Sequence, residues 1–259
     1  MTDEANRPIK TLLTMDDVVG ALDEAGSAGV TELAERIDRP RSVVHDYLST
    51  LVQLGYVRRD GDEYRLSLRF LELGGRVRER IRLYEVARPQ VRELAAESSS
   101  ELVTLIVEEQ GLGVCVDTVR SSQSITYDVI PGMYFHLHCS GAGKAMLAHY
   151  PRERVERVVD RHGLPARTQN TITERDALFE ELENIREDGV SFEREEYKRG
   201  MITMGAPITD SEGAVLGGIS VSGPAHRLRE PDVETALSGQ LLSAINIVEL
   251  NYSAGRDAR

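Results

Sequence analysis

The stretch ERIDRPRSVVHDYLSTLVQLGYVRRDGDEYRLS, residues 35–67, decides the fold of the first part of the chain. From Pro40 onward its apolar residues recur at the spacing of one helix face: Val44, Leu48, Leu51, Leu54. The dipeptide Asp60-Gly61 between two alternating segments predicts a β-hairpin. Shorter helical patterns at 11–25 and 31–38 precede this stretch. Three short helices followed by a hairpin predict a winged helix-turn-helix domain over residues 11–70.

In such a unit, the second helix of the helix-turn-helix enters the major groove and the wing meets phosphates. The residues expected to contact DNA lie off the apolar face or on the wing: Arg39, Arg41, Ser42, His45, Ser49, Arg58, Arg59, Arg65. Residues 39–69 carry six arginines against four acidic residues, although the whole chain has a net charge of -12. This basic window favours double-stranded DNA as a partner. The alternative is a protein-interaction module with ordinary surface arginines.

The overall composition is unusual for its acidity. The chain has 43 acidic and 31 basic residues, and only three of the basic residues are lysines. An acid-rich, lysine-poor surface favours a halophilic source, since molar salt screens repulsion within about 3 Å; an ordinary acidic protein is the alternative. Two cysteines, Cys115 and Cys139, do not suggest a disulfide scaffold. With no long apolar run and no leader-like N-terminus, we expect a cytoplasmic protein without membrane contact.

The rest of the chain predicts a second domain. A helical, arginine- and glutamate-rich segment at 71–98 is expected to link the two domains. Apolar runs at 102–109, 112–119 and 124–130 predict strands, and helical patterns follow near 141–149, 151–162 and 174–187. Three more strands and a last helix at about 231–252 complete the pattern. The order favours an α+β domain over 99–254, built on a mainly antiparallel sheet.

The segment FHLHCSGAGKAML, residues 135–147, has the highest density of side chains that could bind a ligand or react. A phosphate loop is disfavoured because Gly143-Lys144 is followed by Ala145 rather than Ser or Thr. A metal or thiol sensor would use His136, His138 and Cys139, yet no companion ligand motif is present. The remaining interpretation is a helix beginning after Ser140, whose free amide groups attract an anion such as a carboxylate. We therefore expect neither a metal nor another cofactor.

Three motifs in order resemble the IclR family of transcriptional regulators. The first is the winged helix-turn-helix segment, the second is LHCSGAGKAMLA, and the third is FEREEYKRGMITMGAPITDSEGAVLGGISVSGP, residues 192–224. The resemblance covers about residues 11–252. It implies a dimer, often a dimer of dimers, bound to a palindromic operator. It also implies a C-terminal GAF-like domain that binds a small metabolite.

By the same resemblance, members that bind a small 2-oxo acid place specific positions around the ligand. In this sequence those positions are Gly141, Ala142, Glu193, Thr203, Ser220 and Ser222, with pocket walls at Ser124, Tyr127 and Met201. Glu193 is one methylene longer than the aspartate of those members, and Thr203 replaces a cysteine. These departures leave the size of the pocket and the identity of the effector open.

The function predicted from the sequence is a DNA-binding transcriptional regulator of catabolic genes. An organic acid or sugar derivative is expected to control it from the C-terminal domain. The chain shows no nucleophile, base and orienting group in one motif, so an enzyme is disfavoured. The alternative function is a zinc- or thiol-dependent sensor that uses His136, His138 and Cys139.

Overall fold

The computed structural model describes residues 7–97, 102–120 and 129–257, with side chains up to residue 255. The chain divides into two compact units between Arg80 and Ile81. The elements of the first unit, in chain order, are α1 (Lys10–Ala25), β1 (Ala28–Gly29), α2 (Val30–Arg36), α3 (Arg41–Gln53), β2 (Val57–Asp60), β3 (Glu63–Leu66) and α4 (Arg69–Glu79).

The first unit is a winged helix-turn-helix, as the sequence predicted. Apolar side chains of α1, α2 and α3 meet those of the hairpin in one core, with Leu22, Leu33, Leu48 and Tyr64 almost fully buried. The three strands form a small antiparallel sheet in the order β1-β3-β2. Gly61 turns the hairpin with a φ of 64°, a left-handed conformation that glycine adopts without steric cost.

The predicted linker helix over residues 71–98 is two helices, α4 and α5 (Arg82–Glu97), and they belong to different units. The packing explains the difference. Helix α4 has no buried side chain, whereas α5 buries six residues against the second unit. The two helices therefore belong to different units. The sequence does not show this division, because its helical pattern is continuous.

The second unit has a six-stranded sheet whose neighbouring strands are all antiparallel, in the order β6-β5-β4-β9-β8-β7. After α5, its elements are β4 (Leu102–Glu109), β5 (Leu112–Arg120), β6 (Tyr134–His136), α6 (Gly141–Ala148), α7 (Arg152–His162), α8 (Arg175–Asp188), β7 (Ser191–Arg194), β8 (Met201–Thr209), β9 (Val215–Pro224), α9 (Ala225–Leu228) and α10 (Pro231–Asp257).

Helices cover both faces of this sheet. Helices α5 and α10 share one core with the sheet, which includes Val91, Val103 and Leu241. Helices α6, α7 and α8 form a second core around Leu147 and Leu178. This arrangement confirms the α+β class with an antiparallel sheet. Most of the strand predicted at 124–130 lies outside the described residues, and residues 129–130 are not in a strand.

Within the described residues, the structure contains no helix whose length and apolar character would let it cross a membrane.

Candidate functional site

The first candidate surface is the solvent-facing side of α3. Val44, Leu48 and Leu51 turn into the core and Tyr47 packs partly against it, whereas the polar side chains of the helix face solvent. All eight residues predicted to contact DNA are exposed: Arg39, Arg41, Ser42, His45, Ser49, Arg58, Arg59, Arg65. Arg41 is the first residue of α3, and Pro40 occupies the N-cap position. The helix therefore presents a polar face that begins with a guanidinium group at its N-terminal turn.

The strand register divides the wing arginines between two faces. Arg58 pairs directly with Arg65 across β2 and β3, so the two side chains share a face. Arg59 pairs with Tyr64 on the opposite face, where its Nε donates to the carbonyl oxygen of Gly61 at 2.8 Å. Like charges directly opposite each other destabilise a hairpin. Arg65 also pairs with Asp60 at 3.5 Å, so among the described residues Arg58 is the wing arginine best suited to a phosphate.

The second candidate site is a small cavity in the second unit, between the sheet and the N-terminal end of α6. Its volume, taken as the space that the centre of a water-sized sphere can occupy, is about 40 Å³. This is room for about three waters. Its lining combines polar residues and an apolar wall: Thr104, Ile106, Val129, Phe135, Ser140, Gly141, Ala142, Glu193, Tyr197, Thr203, Ser220, Ser222. Among the described residues, no lysine or arginine lines this cavity.

Two rows of directly paired residues build the polar side of the cavity. The first row runs across three strands from Glu193 through Thr203 to Ser222. The second runs from Gly205 through Ser220 to Thr104. Directly paired residues of an antiparallel sheet share a face, so the register alone brings these side chains together. The hydroxyl oxygens of Thr203 and Ser222 lie 3.1 Å apart.

Helix α6 closes the cavity from above and approaches the sheet very closely. A Cβ atom added at Gly205 would lie 2.2 Å from the backbone nitrogen of Ala142, and one at Gly141 would lie 2.8 Å from Cγ2 of Thr203. Ser140 occupies the N-cap position, but its hydroxyl makes no capping hydrogen bond and is buried without a partner among the described residues. The first amide groups of α6 and this hydroxyl therefore lie at the cavity, where they can donate to a ligand.

Glu193 is the carboxyl group of the cavity and is only 1% exposed. Its Oε1 accepts hydrogen bonds from the backbone N–H groups of Glu196 at 2.5 Å and Tyr197 at 2.9 Å. Burial raises the pKa of Glu193 to about 7, and the hydrogen bonds from Tyr197 and Thr203 oppose that rise. Near neutral pH this carboxyl group can therefore be either a proton donor or an acceptor toward a ligand.

Lys144 anchors the turn that follows Glu193 and the end of β7. Its side chain is fully buried, and its Nζ donates to Glu196 at 2.6 Å, Glu181 at 2.7 Å and the carbonyl oxygen of Phe192 at 2.8 Å. An ammonium group has three donors, so all of them are satisfied. Burial raises the pKa of Glu196, and the charge of Lys144 opposes the rise. In the sequence, this ion pair is indicated only by a lone lysine within a segment of small and apolar residues.

The effector positions predicted from the resemblance fall into three groups. The structure brings six of them around one cavity: Gly141, Ala142, Glu193, Thr203, Ser220 and Ser222. Met201 is not part of the cavity lining. Ser124 and Tyr127 lie outside the described residues. Three further lining residues were not predicted from the sequence: Thr104, Phe135 and Tyr197. Thr104 could have been noticed, since it is a single hydroxyl-bearing residue within the apolar run LVTLIV.

The described residues do not support a metal or thiol site at the histidines and the cysteine of the 135–147 segment. His136 is the last residue of β6, whereas His138 lies in a single turn of 3-10 helix, so the two imidazoles do not lie on one strand. Among the described residues, no group of three or more His, Cys, Asp or Glu side chains is placed to hold a metal ion. Cys139 is fully buried, and burial raises its pKa to about 12, which disfavours a reactive thiolate. The zinc- or thiol-dependent alternative is not supported.

A winged helix-turn-helix with exposed arginines, followed by an α+β domain with a polar cavity, defines a transcriptional regulator with a DNA-binding domain and an effector domain. The chain belongs to the IclR family. The family model for the bacterial transcriptional regulator IclR C-terminal domain matches residues 76–248, and the model for the IclR helix-turn-helix domain matches residues 17–61.

Individual relatives agree with this assignment. The chain is similar to the transcriptional repressor IclR of Escherichia coli, with 31% identity over 89% of this chain and 85% of the relative. The crystal structure of the Thermotoga maritima IclR superposes with a TM-score of 0.81 at 28% identity, covering 94% of this chain and 98% of that one. An IclR homologue from Microbacterium hydrocarbonoxydans, solved as a complex with 4-hydroxybenzoate, has a TM-score of 0.75 at 24% identity, covering 92% of this chain and 98% of that one. The relatives are transcriptional regulators rather than enzymes.

Proposed function

We propose that a small organic acid or sugar-derived acid binds in the cavity and controls how strongly the protein occupies its operator, and that the regulated genes are catabolic. The observation that carries this proposal is the row of paired polar side chains beneath the first amide groups of α6. A ligand rich in oxygen atoms satisfies such convergent donors without a metal or a cofactor. The homologue crystallised with 4-hydroxybenzoate supports an acid as the class of ligand.

The proposed ligand contacts are specific. The amide groups of Gly141 and Ala142 hold the anionic end of the acid, since the cavity lining within the described residues provides no cationic side chain. Thr203, Ser220 and Ser222 donate to or accept from its oxo or hydroxyl groups. Glu193 shares a proton with the ligand. Ser124 and Tyr127 stay proposed wall residues, and Met201 is not proposed as one.

The proposed DNA surface is the exposed side of α3 together with the wing. Arg41, Ser42 and His45 enter the major groove, and Ser49 and Arg39 lie beside the phosphates that flank it. Arg58, Arg59 and Arg65 position the wing on the backbone of the duplex. The exposure of all these side chains supports the proposal, because the core needs none of them.

We further propose that the protein acts as a homodimer or tetramer in the cytoplasm. The first unit exposes many large apolar side chains on α1 and around α4: Ile9, Leu12, Leu13, Leu68, Leu71, Leu73, Val77. Large apolar side chains left exposed in such number support a protein interface in this unit, and a palindromic operator matches a twofold dimer. The acid-rich composition supports a cytoplasm with high salt.

The proposed mechanism is a shift between two arrangements of the dimer. A ligand that binds one arrangement more tightly favours it, and the spacing of the two DNA-binding units changes with it. A tenfold preference corresponds to about 1.4 kcal/mol, which is enough to change operator occupancy.

Thermal-shift screening of organic acids and sugar acids, with full-length wild type beside Ser220→Ala/Ser222→Ala, tests the proposed function. We expect at least one acid to stabilise the wild type and to lose that effect in the double variant. If no acid stabilises the wild type, or if the variant responds as the wild type does, the proposed ligand class or the serine contacts are wrong.

A further inference from the structure

A basic groove on the surface of the second unit adjoins the outer wall of the cavity. It is formed by residues 166–169 and 197–199 and offers about 530 Å³ to solvent. Its lining includes three cationic side chains, Arg167, Lys198 and Arg199, and no carboxylate from the described part of the chain. All three are exposed, in a chain whose net charge is -12. A local excess of positive charge on an acidic surface attracts small anions.

The groove has a fixed floor, because its two segments are hydrogen-bonded to each other. Thr168 Oγ1 donates to the carbonyl oxygen of Glu195 at 2.7 Å, and Thr171 Oγ1 donates to that of Glu196 at 2.6 Å. Thr171 Oγ1 also accepts from the backbone N–H of Arg167 at 3.0 Å. The backbone that carries Arg167 is thus tied to the turn that carries the other two cations.

The side chain of Arg167 is also held in place. Its guanidinium carbon lies 4.7 Å from the centre of the Tyr197 ring, and that ring packs against Phe135 with a centroid distance of 5.6 Å. Stacking occupies the face of a guanidinium group and leaves the N–H groups at its edge for a planar anion. Tyr197 lines both the cavity and the groove, so one aromatic ring separates the two spaces.

The neighbouring acids do not neutralise these arginines. Glu195 accepts from the backbone N–H of Gly200 at 2.8 Å and pairs with Arg229. Glu196 pairs with Lys144 at 2.6 Å. In the part of the chain that the structure describes, no acidic side chain pairs with Arg167 or Arg199, and Arg199 donates only to the amide oxygen of Gln169, at 3.4 Å.

We propose that this groove is a binding site for a small oxyanion, namely the carboxylate or phosphate of a metabolite, outside the cavity. Arg167 and Arg199 provide bidentate donors, which match the geometry of either group. Lys198 adds a third positive charge at the rim. The site does not depend on the proposed effector, because its residues and those of the cavity share only Tyr197.

Inorganic phosphate and malonate are the probes, added to the full-length protein in isothermal titration calorimetry at an ionic strength held constant with potassium chloride. We expect saturable binding by the wild type and a loss of about tenfold or more in Arg167→Gln/Arg199→Gln, because charge-assisted bidentate pairs are strong. The matched control is Arg92→Gln/Arg157→Gln, which removes two exposed arginines elsewhere on the same unit and should bind as the wild type does. Circular dichroism establishes that each variant is folded.

Absence of saturable binding by the wild type overturns the proposal, as does an equal loss in the control or full binding by the groove variant. Lys198→Gln is the milder second variant, with an expected smaller loss. Tighter binding of phosphate would identify a phosphate group as the anion that the groove binds, and tighter binding of malonate would identify a carboxylate. Ser220→Ala/Ser222→Ala must keep phosphate binding; if it does not, the anion occupies the cavity and the groove is not its site. Anion binding at the groove does not depend on the outcome of the thermal-shift screen of organic acids, so failure of that screen would not overturn it.

Discussion

The Nζ of Lys144 lies 2.6 Å from a carboxylate oxygen of Glu196, although neither side chain is more than 8% exposed. This buried ion pair joins α6 to the turn between β7 and β8. The first amide groups of α6 lie on one side of the cavity, and Glu193 lies on the other. The pair therefore holds the two sides of the cavity at a fixed distance.

Replacement of Lys144 by Met should destabilise the protein severely, because it leaves Glu196 buried without its partner. Removal of one member of a buried pair costs about 3 to 5 kcal/mol. Urea unfolding monitored by circular dichroism measures the loss. The exposed Lys10→Met is the control and should change little. Lys144→Met/Glu196→Gln should recover part of the loss, and no recovery would argue against the pair as its cause.

Glu193→Gln should change how stability depends on pH. The folded protein holds the carboxyl proton more tightly than the unfolded chain does, since burial raises the pKa of Glu193 to about 7. Below the pKa that Glu193 has in the unfolded chain, its neutral carboxyl group makes its full contribution to stability. This contribution is lost as the pH rises through the pKa that Glu193 has in the folded protein. Each pKa unit corresponds to about 1.4 kcal/mol, so a rise from 4.5 to about 7 limits the whole effect to roughly 3 to 4 kcal/mol.

Unfolding of the wild type and Glu193→Gln should be compared at pH 5 and pH 8. We expect the variant to gain stability relative to the wild type as the pH rises, with the gain levelling off above about pH 7. Parallel stability curves for the two proteins across this range would show that Glu193 titrates normally.

Arg41→Ala should weaken specific DNA binding without affecting the second unit. A side chain that contacts a base edge contributes about 1 to 3 kcal/mol of discrimination. The measurement is affinity for duplexes that the wild type selects from a random library, with Arg157→Ala as a control outside the first unit. Unchanged affinity and selectivity in Arg41→Ala would mean that the N-terminal turn of α3 does not read the operator.

The two faces of the wing should differ in their salt dependence. Arg58→Gln should lower the slope of log affinity against log salt by about 1, the loss of one phosphate contact. Arg59→Gln should lower it less, since Arg59 already donates to Gly61 and its guanidinium carbon lies 5.8 Å from the centre of the Tyr64 ring. The opposite ranking would place the other face of the hairpin on the DNA.

The winged helix-turn-helix could be predicted from the sequence because its signals are local. Helix α3 has an apolar face of its own, and Asp60-Gly61 specifies the hairpin. The serines of β9 could also be placed on one face, since side chains alternate along a strand. The division between α4 and α5 was missed, because burial against different units determines it and the helical pattern is continuous.

The remaining part of the cavity depends on strand order, which the sequence does not display. Thr104 reaches the site only because β4 pairs with β9, more than a hundred residues away along the chain. Phe135 of β6 meets Tyr197 of the turn between β7 and β8, two segments that are far apart along the chain. The ion pairs of Lys144 could not be predicted either, because only the folded structure shows that two glutamates surround its ammonium group.

Coupling between the cavity and the operator is tested most directly by operator affinity, measured by fluorescence anisotropy while an acid that stabilises the wild type is titrated. We expect the acid to change the affinity of the wild type by about tenfold, equivalent to about 1.4 kcal/mol, and to leave that of Ser220→Ala/Ser222→Ala unchanged. Wild-type operator affinity that stays constant at saturating acid would contradict it, because the cavity would then have no influence on DNA binding.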